Sequence, residues 1–221
     1  MGQWEESEQY VRNVATSYPT TSGAEWYRWC VRTGRGDRTA AHDLAIQFIE
    51  LEWVQEQKRG KEHLFAAHLT EDRPSAALEL VQEIRAQENS AYWLAHQALL
   101  AAELGKDDLR DAAIKAINGL GEQELRQRDP EFHALVNQFC RMMESVEGFE
   151  EHLDEIDKQL GKISSTSRCN FEYFVGVALD LKGASQKAEE YYTRAVTKGP
   201  FDRCNATFAG KRLAERNGTS R

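Results

Sequence analysis

The chain has 221 residues, 36 acidic against 28 basic, and a formal net charge of −8, which is long enough to bury a substantial core. That balance argues against a nucleic-acid binder, which needs surplus Lys and Arg to hold phosphates, and no run approaches the roughly 18 consecutive apolar residues of a membrane span. Residues Met1 to Ser7 lack the basic and apolar regions of a secretory signal, so the expected location is cytoplasmic, with no membrane partner.

Apolar residues recur at three- and four-residue spacing along most of the chain, which is the signature of amphipathic helices. Sustained period-2 alternation is missing. The pattern predicts helices over 3–17, 23–33, 38–57, 60–71, 74–88, 90–104, 107–119, 130–146, 149–161, 169–182, 185–199 and 202–216. Representative stripes are Leu78, Val81 and Ile84; Phe132, Leu135, Val136, Phe139, Cys140 and Met143; and Phe149, Leu153, Ile156 and Leu160. Pro74 and Pro130 open helices, a position where the missing N–H costs nothing. Gly105-Lys-Asp, Gly148 and Gly183-Ala-Ser break them: glycine ends one helix at positive φ, and Asp or Ser is expected to cap the next. The connections are short, so successive helices should pair as antiparallel hairpins.

The clearest internal unit is residues 169–200. Its first helix sets Val175 beside Gly176, with Leu179 three positions later and the turn glycine Gly183 four beyond. Its second carries Ala188, then Tyr192 and Ala195, and Pro200 closes it. With that spacing the unit resembles a tetratricopeptide repeat, although Glu172 stands where the family places a leading Trp. Looser matches occur at Leu64, Ala67, Ala76, Leu80 and Ile84; at Trp93, Ala98, Gly105, Ala112, Ala113 and Ala116; and at Trp26, Trp29, Cys30, Ala41, Ala45 and Phe48. First helices begin near 24, 60, 90, 130 and 169. The resemblance implies an all-α fold, a right-handed α-α superhelix of about five hairpins forming one domain over 1–221. Residues 1–22 would cap one end and 201–221 the other, where Phe201, Phe208 and Leu213 would face inward and Arg203, Lys211, Arg212 and Glu215 outward. It also implies that Gly176 and Ala188 lie at the close crossing of a hairpin, with Tyr192 and Leu179 wedged against the next one.

Chemistry-bearing patterns are sparse. Cys30, Cys140, Cys169 and Cys204 form no CxxC pair and fall in or beside apolar helical stretches, so they read as small core hydrophobes. The six histidines show no HExxH and no ligand spacing, so no metal is expected. Arg35-Gly-Asp reads as an interhelical turn, and the Asn205 and Asn217 sequons as chance matches. No catalytic residue and no cofactor are expected. The resemblance instead implies a protein-interaction scaffold that takes a peptide or helix of a partner in a concave groove lined by the first helix of each pair. On the best-matched repeat those groove positions are Asn170, Tyr173, Val177 and Asp180. Tyr27 and Tyr92 fall off the core stripes of their helices and join them as interface candidates. The alternative is a regulatory or self-assembling helical subunit of a larger enzyme or secretion complex, in which the chain forms a homo-oligomer.

Overall fold

The computed structural model describes residues 54–88, 90–120, 130–144, 149–198, 204–216 and 218. The helices expected over 3–17 and 23–33, most of that over 38–57, and Tyr27 lie outside the described residues. Among those described the chain is all-α, without a strand. It divides into two compact units, Met1–Ile84 and Arg85–Arg221.

In the first unit α1 spans Val54–Thr70 and leads into α2, Pro74–Gln87, which crosses the boundary between the units. The break expected between 57 and 60 does not occur: α1 runs through Gly60, which is buried. Tertiary packing there outweighs the roughly 1 kcal/mol that a helical glycine costs. Leu64 and Phe65 of α1 and Leu78, Val81 and Ile84 of α2 are buried, and Lys61 Nζ meets Glu83 Oε2 at 2.7 Å.

The second unit holds α3 (Ala91–Glu103), α4 (Asp107–Asn118), α5 (Pro130–Glu144), α6 (Phe149–Leu160), α7 (Ser165–Leu181), α8 (Ser185–Lys198) and α9 (Cys204–Arg216). Consecutive helices pair as α3/α4, α5/α6 and α7/α8, and α9 folds back onto both α7 and α8. The turns after α3 and α7 are alike. Gly105 (φ 66°) and Gly183 (φ 73°) take the left-handed conformation that side chains resist. The following amides, Lys106 and Ala184, return to the carbonyls of Ala101 and Leu179 at 2.8 and 2.9 Å, closing Schellman turns. Asp107 and Ser185 were expected as caps but are the first helical residues, so Asp107 acts on the helix dipole instead. Helix α7 begins a turn earlier than its periodicity suggested, because Ser164 Oγ accepts from the Ser167 amide at 3.3 Å.

The core follows from two helices that are apolar on nearly every face. Residues 93–101 of α3 and 171–179 of α7 are buried without interruption, as a helix apolar all round must be. The partner helices α4, α6 and α8 bury only one stripe each, such as Ala113, Ile114 and Ile117 of α4. Helix α7 packs against α3, α5, α8 and α9. Phe174 of α7 meets His96 of α3 edge-on at 4.8 Å between ring centroids and Tyr92 at 5.7 Å. Two first helices that are two hairpins apart therefore touch directly, unlike an array in which each repeat meets only its neighbours.

Gly176 is where α7 and α8 close on one another. A Cβ added there would fall 2.6 Å from the ring of Tyr192, which is fully buried and donates through Oη to Asp180 Oδ2 at 2.7 Å. The small residue is thus required by Tyr192, whose ring fills its own hairpin and also meets Arg216 of α9. Replacing Gly176 by Ala should cost about 1–3 kcal/mol by overpacking, despite the better helix propensity of alanine. Urea unfolding reads the difference, and a neutral or stabilised Gly176→Ala would show that the ring can move aside.

Candidate functional site

Three first helices, α3, α5 and α7, converge on a small apolar slot of about 60 Å³, to which Ile117 of α4 also contributes. Phe139, Phe171, Phe174 and Val136 form its buried walls. Ala91, Tyr92, Ser167 and Asn170 are half-buried and rim its mouth. The helical phase explains the rim: Ser167, Asn170, Phe171 and Phe174 recur at three- and four-residue spacing, so one edge of α7 carries polar groups at the mouth and rings beneath. Tyr92 Oη donates to Asn205 Oδ1 of α9 at 3.2 Å, which fixes the phenol at the rim.

Of the residues singled out from the sequence, Tyr92 and Asn170 are brought together here. The others stand apart. Tyr173 and Val177 are buried, and Tyr173 packs on Phe208 of α9 with centroids 5.8 Å apart. Burial holds the Tyr173 hydroxyl above its ordinary pKa, with Arg212 pulling the other way. Asp180 accepts from Tyr192 and is ion-paired with Arg216. Helix α9 thus covers the stretch of α7 that was expected to be open. Leu213 is only half-buried, and Arg212, expected to face solvent, meets Glu103 of α3 instead. Val136, Phe139, Phe171 and Phe174 were legible only as core; nothing in their spacing shows that a gap remains between them.

A larger cleft of about 730 Å³ opens where the length of α4 meets the C-terminal ends of α5 and α7, lined by Arg110, Asp111, Lys115, Asn118, Met143, Glu144, Leu181 and Lys182. Its cations and carboxylates are interspersed, and Arg110 is held by Asp107 and Asp111 at 2.6 and 2.8 Å. Charge compensated in this way marks a solvated surface, and the slot is the better defined site. Among the described residues no group of three or more His, Cys, Asp or Glu is placed to hold a metal, and no helix is long and apolar enough to cross a membrane. Burial, and less so Glu144, pushes the Cys140 thiol up to about 12, so it stays protonated and inert.

No protein-family model matches the chain, and no match is found among curated proteins or solved structures.

His96 lies behind the slot, 1% exposed, with Tyr92 at 4.7 Å and Phe174 at 4.8 Å between centroids. Burial pushes its pKa from 6.5 down to about 3, against a smaller opposing effect of Asn205, so the ring is neutral at pH 7. Between those values the unfolded chain binds the proton and the folded one does not, so stability rises with pH across the window. The His96 contribution is complete above pH 6.5 and is lost as pH falls toward 3. At about 1.4 kcal/mol per pH unit, the loss between pH 6.5 and 4.5 is on the order of 3 kcal/mol. Urea unfolding at both pH values should show this loss in the wild type and a much flatter response in His96→Gln; equal slopes would remove His96 as the cause.

Proposed function

We propose that the chain is a non-catalytic interaction scaffold, a tetratricopeptide-like module acting in the cytoplasm, that binds a peptide or helix of a partner protein by seating an apolar side chain in the α3–α5–α7 slot. The observation that carries this reading is the convergence of three first helices on one aromatic-walled gap with a polar rim. Such a gap has the form of an interface anchor pocket, in which a buried side chain supplies most of the affinity. Its 60 Å³ takes one side chain and falls far below the roughly 300–1,000 Å³ of small-molecule sites. Two groups with strongly displaced pKa values, the neutral His96 and the protonated Cys140, are sealed in the core and do not favour chemistry either. The tetratricopeptide likeness draws support from the matching glycine turns after α3 and α7 and from the tight contact at Gly176.

Asn170 would contact the partner at the rim, and Ala91 sits at the mouth, where a large side chain plugs the slot without entering the core. A photo-crosslinking residue at 170 should capture a defined partner, and Ala91→Trp should reduce that capture at least tenfold with the helical circular dichroism unchanged. Capture that survives the plug would sink the slot as the binding site.

A further inference from the structure

Helix α9 packs on α8 and α7, and one of its edges adds side-chain contacts to α3. Asn205, Phe208, Arg212 and Arg216 recur at three- and four-residue spacing, so they project to one side. Asn205 Oδ1 accepts from Tyr92, Phe208 packs on Tyr173, and Arg212 Nη2 donates to Glu103 Oε1 at 2.6 Å. Arg216 pairs with Asp180, donates to the Ser185 carbonyl at 2.7 Å and lies over the Tyr192 ring. The match is one of charge as well as shape: α9 carries three cations and one anion, and Glu103 and Asp180 receive two of those cations.

The apolar grip of α9 is slight by comparison with that of the helices beneath it. Phe208 is its one large buried apolar residue, with Ala209 beside it. Its ion pairs are partly solvated, with Arg212 and Glu103 side chains 31% and 27% exposed, and such pairs hold weakly. Helices with few buried apolar contacts are the ones that open locally while the rest of the fold stays intact. Opening would uncover Tyr173 and Tyr192 together with two carboxylates.

We propose that α9 is an exchangeable occupant of the α7–α8 face and its α3 rim, and that this face receives in its place a basic amphipathic helix of another protein, with an aromatic residue followed by arginines four and eight positions on. A second copy of the chain is the poorer candidate, because two molecules of net charge −8 repel each other. The face is distinct from the slot, so the inference goes beyond the proposed function and stands without it.

The test uses full-length protein and a fluorescent peptide of residues 202–218 as the trans helix. Arg212→Glu with Arg216→Glu sets α9 against Glu103 and Asp180 and should release it. That variant should bind the wild-type peptide at least tenfold more tightly than the wild-type protein does, and a peptide carrying the same two substitutions should not bind. Equal peptide affinity for the two proteins would overturn the proposal. Should the double variant fail to fold, hydrogen exchange on the wild type decides: amides of 204–216 should exchange at least a hundredfold faster than those of 171–179, and equal protection overturns the idea. A wild-type dimer in light scattering, dissociated by the peptide, would make a second copy the occupant and overturn the assignment to another protein.

Discussion

The second unit is organised by the need to surround α7. A helix whose residues 171–179 are all buried cannot be satisfied by a single hairpin partner, since one neighbouring helix covers only part of its circumference. Helices α3, α5, α8 and α9 each take a side. Closure is tightest at Gly176, where the Tyr192 ring fills the space a side chain would occupy. Wrapping on this scale also explains Glu172, a fully buried carboxylate on α7: Arg168, one turn earlier, donates to it at 3.1 Å, so the charge enters the core already paired.

The same requirement bends the architecture away from a simple stack. In a linear array of hairpins, α3 and α7 would be separated by the α5/α6 pair. Here the rings of Tyr92, His96 and Phe174 meet directly, and α5 packs against both α4 and α7. Three helices meeting around bulky aromatic rings leave a gap that side chains of fixed shape do not fill completely, and the slot is that gap. Its position is a consequence of core packing; its polar rim comes from the faces of α3 and α7 that remain half-buried.

Helix boundaries were legible because they rest on local signals: Pro74 and Pro130 at helix starts, and Gly105 and Gly183 at positive φ. The break expected before Gly60 failed because burial, which is non-local, overrode propensity. The repeat phase points to a start near 169, whereas the local cap at Ser164 adds a turn to α7. The site was less legible. Tyr92 stood out as off-stripe and does rim the slot, whereas Tyr173 and Val177 followed from a repeat phase that takes no account of α9. The outward placement expected for Arg212 failed because sequence spacing shows which residues share an edge and not whether that edge meets Glu103.

Tyr92 stands where these features join. Its ring borders the slot, while its hydroxyl donates to Asn205 on α9. With α9 seated, the phenol hydroxyl is held by Asn205 while the ring packs among Trp93, His96 and Phe174. Coupling between two surfaces needs a shared element whose arrangement both can bias, and a half-buried tyrosine with one end in each meets that condition. Helix α9 and the mouth of the slot therefore share one side chain.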